Sequence, residues 1–254
     1  MSTEVLITRV SRITAALYAI TAVHHVIEGL GWVFGFRLNS LLTPITFGIP
    51  LLMTMGVLQL YRTTRHQFVL AVVTIMITLF WVIGIGLTDG LYNHTLNVLL
   101  SIVHAPDSAF NAIYPSYTQP PSGLNIPCDG VQYSYCTVTP STLLYELAGI
   151  ASFLVACWLA FDTYRLVRAR RRDYRASSGR LPRRVTIGVA LALLSAFGLG
   201  PTLGMYMATR NLASLFGALA LMAIGVGALG VALRATRAPN AAPGEVQSSA
   251  HDPP

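Results

Sequence analysis

Lysine is absent from this sequence, and charge of any kind is scarce: 11% of its 254 residues are charged. A water-soluble domain carries about 25%, so the deficit argues against an ordinary soluble globule and makes lipid the solvent to test. Cysteine is nearly missing as well, with three residues, too few for a dense disulfide framework. What the chain has instead is apolar length. Hydrophobic residues make up 54% and the mean hydropathy is +0.59. The net charge of +7 superficially suggests nucleic acid. Yet all 17 basic residues are Arg, and nine of them share one connector, which is what membrane topology itself requires. We expect no nucleic-acid partner.

A spanning helix needs about 20 mostly apolar residues. Six such runs are legible: Ile13–Phe36, Leu42–Tyr61, Phe68–Leu91, Thr142–Leu166, Val185–Ala208 and Leu212–Leu233. The first is too long for a signal peptide and is expected to stay in place as a span. The arginines test the division. Fifteen fall on the N-terminus, the second and fourth connectors and the tail, and two on the segments between. The positive-inside rule then puts the fifteen in the cytoplasm. The expected fold is an all-α, polytopic transmembrane helical bundle of six spans, integral to the cell membrane, with both termini cytoplasmic. Its membrane domain covers residues 1–237, with an outer loop at 92–141 and an Arg-rich cytoplasmic loop at 167–184; the Pro-, Ala- and Ser-rich tail 238–254 reads as disordered.

Within the outer loop, Thr95–Val103 is apolar enough to lie on the membrane surface. Cys128 and Cys136 face an oxidising compartment in this topology, and a disulfide between them is expected. Cys157 lies in an apolar run and reads as a small core residue. The last two spans are rich in Gly and Ala, which suits close helix packing in lipid.

Ionisable groups inside a membrane cost roughly 2.5–3.5 kcal/mol each on insertion scales, so they need a partner or a purpose. Glu28, Asp89 and Glu146 fall in the outer third of the bilayer; at 1.5 Å rise per residue, Glu28 lies ~22 Å along the first span. His24 and Glu28 share a helix face, and His25 is three residues from Glu28. Such a pair can exchange protons, hold a metal or relay charge. Asp89 and His94, five apart, align poorly on a straight helix unless the chain turns at Gly90. Glu146 has a bland alternative as the acid of a helix N-terminus capped by Ser141. A set of His24 or His25, Glu28, Asp89, His94 and Glu146 has the chemistry to bind Zn or Fe. No HExxH or paired ExxH motif is present, and we expect neither a metal nor a redox cofactor.

The run His24-His25-Val26-Ile27-Glu28-Gly29-Leu30-Gly31-Trp32 resembles the His-x-x-x-Glu-Gly helix of the EXPERA family of emopamil-binding sterol isomerase-like membrane proteins. Asp89-Gly90-Leu91-Tyr92, and Trp158 to Asp162 with Tyr164, are similar to two further segments of that family. The chain departs from the family pattern in having no acid in its second span, Glu146 in place of an amide, and two added helices at its end. The resemblance implies a helical membrane fold that takes a hydrophobic, alkene-bearing lipid, such as a sterol or prenyl compound. It implies isomerisation or cyclisation by acid–base chemistry, with His24 and Glu28 as the acid–base pair and Asp89 in support. His25, Trp32, Trp81, Tyr92, His94 and Glu146 would line the substrate site, the aromatic faces steadying a cationic intermediate. The same acids also admit a transporter or channel subunit, and a lipid-binding or assembly protein without catalysis.

Overall fold

The computed structural model of the chain describes residues 1–31, 35–36, 38–103, 105–113, 140–172, 181–209 and 212–237. The described part is almost entirely helical. Helix α1 spans Thr3–Gly29, α2 Leu38–Thr64, α3 Gln67–Ile102, α4 Asp107–Ile113, α5 Pro140–Arg172, α6 Arg183–Thr209 and α7 Leu212–Arg237. Between α1 and α2, Leu30 pairs antiparallel with Phe36 and Gly31 with Gly35. The first helix therefore ends at Gly29 rather than continuing to Phe36.

Local sequence sets these boundaries. Ser2 caps α1, its hydroxyl accepting from the Val5 amide, and Glu4 sits in the first turn, where a negative charge meets the positive end of the helix dipole. The His66 ring accepts from the Phe68 amide at 3.1 Å and caps α3. The turn before it is closed by Arg65, whose φ of 51° is left-handed and whose amide returns to the Tyr61 carbonyl, as at many helix C-termini. Proline at the first position of α5 lacks only an amide hydrogen that would have no helical partner there.

Five helical stretches are long and apolar enough to cross a membrane: Thr3–Gly29, Ser40–Thr64, Gln67–Ile102, Leu143–Arg170 and Leu212–Thr236. The fifth sequence run, Val185–Ala208, falls within α6, whose side chains are described only as far as Gly198. Large apolar side chains point outward on all sides, among them Ile45, Leu52, Leu154, Leu194 and Phe216, each at least 60% exposed. That many exposed apolar groups suit hydrocarbon and would drive aggregation in water. Cys157 is one of these outward groups: in lipid, apolarity does not imply burial, which is why the core reading fails.

The interior is apolar through its middle, with Leu17, Val57, Met76 and Trp81 fully or nearly fully enclosed. Trp81 donates to the Thr54 hydroxyl at 3.0 Å, satisfying both. One end of the bundle carries the basic groups. Glu4 meets Arg62 and Arg65 at 2.6 Å each. The buried carboxylate of Asp162 meets Arg9 at 2.8 Å and Arg165 at 3.6 Å. These contacts tie α1 to α2 and to α5.

Helix α3 departs most from expectation. It does not stop at Leu91 but runs unbroken to Ile102. Over Ile77–Leu96 it is wound with i→i+5 hydrogen bonds, a wider turn than the α-helix. The Thr95 hydroxyl follows the same spacing, donating to the Gly90 carbonyl.

Candidate functional site

The end of the bundle away from Arg9, Arg62, Arg65 and Arg165 gathers six ionisable side chains from three helices: His24, His25 and Glu28 from α1, Asp89 and His94 from α3, and Glu146 from α5. Wide winding explains the first juxtaposition. With i→i+5 bonding, residues five apart lie nearly one above the other, so His94 Nε2 stands 3.7 Å from Asp89 Oδ1 with no turn at Gly90. Asn93 donates to the same Asp89 oxygen at 3.5 Å.

Close packing of α3 on α5 explains the second. A side chain at Gly149 would collide with the His94 ring, and one at Gly90 would come within 2.6 Å of the Phe153 amide nitrogen. Because both positions lack a Cβ, the two backbones approach until His94 Nδ1 donates to Glu146 Oε2 at 2.9 Å. Both partners are at most 2% exposed. Glu146 is therefore a partner of His94, beyond any part it plays at the start of α5.

On α1 the neighbouring histidines diverge. His24 is buried, stacks on the Tyr145 ring with centroids 4.2 Å apart, and donates from Nδ1 to the Tyr145 carbonyl at 3.3 Å. His25 donates from Nδ1 to Glu28 Oε2 at 3.3 Å, and its Nε2 lies 4.0 Å from Asp89 Oδ2. Of the two histidines, His25 is the one hydrogen-bonded to Glu28. The His24 and His94 rings meet edge to face at 4.4 Å, which makes the cluster continuous.

A pocket of about 500 Å³ opens beside it. His25, Thr88, Asp89 and Asn93 form its polar edge, and Phe47, Leu79, Phe80, Ile85 and Phe197 its apolar wall. Phe47 and Phe80 pack edge to face at 5.7 Å, and Phe47 also meets the His25 ring at 5.8 Å. Neither phenylalanine stands out in the sequence, because two aromatics in apolar spans carry no mark until the fold brings them to one polar edge.

The other sequence-selected residues lie elsewhere. Trp81 is behind Phe80, their rings 5.0 Å apart, and is not part of the pocket wall. Tyr92 is partly buried and donates to the Ile113 carbonyl at 2.6 Å, tying α4 to α3. Trp32, Cys128 and Cys136 lie outside the described residues, as does most of the outer loop.

Fold and site together define a class: an apolar helical bundle, with several helices long enough to cross a membrane, carrying a buried histidine–carboxylate cluster at one end. No protein-family model, curated protein or solved structure matches the chain.

Proposed function

We propose that this chain is a six-span membrane protein with both termini in the cytoplasm, and that it is an intramembrane acid–base enzyme acting on a hydrophobic, alkene-bearing lipid. The distribution of fifteen arginines against two supports the topology, as does the gathering of Glu4, Arg9, Arg62, Arg65 and Asp162 at one end. The observation that carries the enzymatic reading is the pocket: an apolar wall ending on His25 and Asp89. A lipid chain fits the wall, and a reacting double bond would then lie against groups able to move protons. The choice of a sterol or prenyl substrate draws on the resemblance of His24–Trp32 to the EXPERA family.

The chemistry needs one proton carrier. Protonated His25, oriented by Glu28, gives its Nε2 proton to one alkene carbon, leaving a cation on the neighbouring carbon. The faces of Phe47 and Phe80 and the carboxylate of Asp89 steady that charge. The neutral imidazole then removes a proton from an adjacent carbon, which returns His25 to its starting state and shifts the double bond. His24, His94 and Glu146 hold the surrounding groups in place.

His25 stands at the open edge of the pocket and exchanges its Nε2 proton with water between turnovers, so isomerisation by this route takes a solvent-derived hydrogen into the product. Membranes containing the full chain, incubated in heavy water with their own lipids, should yield a deuterium-labelled lipid by mass spectrometry. A positioned general acid contributes roughly 10²–10⁴-fold, so His25→Gln should reduce labelling by about that factor, and Glu28→Gln should reduce it less. Labelling equal to that of membranes lacking the chain, or unchanged in His25→Gln, would rule the reading out.

A further inference from the structure

We propose that His24, Asp89 and His94 form a binding site for a divalent transition-metal ion such as Zn²⁺ or Fe²⁺, with a position left open toward the pocket. The inference rests on how the three imidazoles are tied. His24 Nδ1 faces the Tyr145 carbonyl, His25 Nδ1 the Glu28 carboxylate and His94 Nδ1 the Glu146 carboxylate. A carbonyl and a carboxylate only accept, so each Nδ1 carries its hydrogen. In the neutral ring the lone pair is then on Nε2. A metal-ligating histidine is held in this way, its second nitrogen donating to a carboxylate or a backbone carbonyl.

The Nε2 atoms of His94 and His25 both approach Asp89. His24, Asp89 and His94 each offer a ligand atom within 4.8 Å of the other two. His94 Nε2 is 3.7 Å from Asp89 Oδ1, and His25 Nε2 is 4.0 Å from Asp89 Oδ2. Ligands bonded to Zn²⁺ at about 2.0–2.2 Å in a tetrahedron stand roughly 3.4 Å apart; the His94–Asp89 pair at 3.7 Å is near that spacing, and pairs as wide as 4.8 Å must close by up to about 1.4 Å when the ion binds. Charge favours the same ion. Glu28, Asp89 and Glu146 bring three carboxylates together among the helices, and a dication bound in place of the imidazole Nε2 protons offsets two of those charges. Two histidines and one carboxylate, with oxygen and nitrogen ligands only, suit Zn²⁺ or Fe²⁺ and exclude a soft-metal site.

Asp89 and His25 also line the pocket, so a fourth position on the ion would face a pocket occupant or a water. A water held at that position would be acidified by the ion, while His25 keeps its place at the pocket edge. The site itself depends only on side-chain geometry and stands whether or not a lipid is turned over.

The test uses the full chain in detergent, stripped with a chelator and titrated with Co²⁺, whose visible bands report low-symmetry nitrogen and oxygen coordination. The expected result is about one Co²⁺ per chain, displaced by Zn²⁺. Asp89→Asn and His94→Gln should lose the bands while helical circular dichroism is kept. Glu146→Gln leaves every ligand in place and should weaken affinity roughly 10–100-fold through His94. Glu4→Gln, at the opposite end, should bind as the parent does. Failure of the parent to take up Co²⁺, or unchanged affinity in both Asp89→Asn and Glu146→Gln, would overturn the site. Heavy-water labelling reports lipid chemistry alone, so either idea can fail while the other stands.

Discussion

His94 shows how much one side chain depends on an absent one. Its ring occupies the space that a Cβ at position 149 would fill, and its Nδ1 reaches Glu146 only because that space is free. Gly149→Ala should therefore push His94 away from Glu146. Overpacking of this kind costs about 1–3 kcal/mol, and the break of a buried charged hydrogen bond adds to it. Thermal unfolding in detergent should show a clear drop in midpoint, and Co²⁺ affinity should fall with it. A midpoint and affinity equal to the parent's would show that the ring moves aside freely. At this scale the sequence was partly legible. Acids and histidines in apolar spans stand out because hydrocarbon penalises them, and helix rise for Glu28 with the span ends for Asp89 and Glu146 put all three toward the same end of the bundle. Their pairings could not. Whether His24 or His25 meets Glu28 is decided by Tyr145, whose backbone carbonyl and ring hold His24, and no spacing rule carries that information.

At the scale of the helix, sequence period and actual winding part company in α3. Reading Asp89 and His94 with 3.6 residues per turn separates them, and a kink at Gly90 is the natural repair. The chain instead winds wider over Ile77–Leu96. Nothing in the apolar run ITLFWVIGIG announces this, since a uniformly hydrophobic span satisfies either winding. Polar caps at Ser2 and His66 close two helix ends, but apolar length alone does not find them: the first apolar run starts at Ile13, whereas α1 begins at Thr3. Between helices, the Arg9–Asp162 contact joins α1 to α5 at 2.8 Å. Asp162 is fully buried, whereas Arg9 is 37% exposed, so solvent screens part of the attraction. Asp162→Asn should destabilise the fold by about 1–3 kcal/mol, below the full cost of breaking a buried pair. Denaturation of the purified variant checks this, and a change within about 0.5 kcal/mol, typical of surface sites, would assign the pair no structural weight.

For the whole molecule, the alternation of arginines organises the proposed orientation, and it can be checked without knowing any substrate. In a chain whose cysteines have been replaced by serine, Ser122→Cys should react with a membrane-impermeant thiol reagent on intact cells. Ser177→Cys, in the Arg-rich connector, should react only after the cells are opened. The reverse pattern would invert the bundle and put the His–carboxylate end in the cytosol. The winding of α3 bears on this larger frame. On a regular α-helix, residues five apart sit about 140° apart around the axis. Rewinding Ile77–Leu96 would swing Asp89 and His94 to different sides and lengthen the segment at the same moment. Helix length and the Asp89–His94 pairing are thereby linked: stretching this segment to a regular α-helix would part the two side chains.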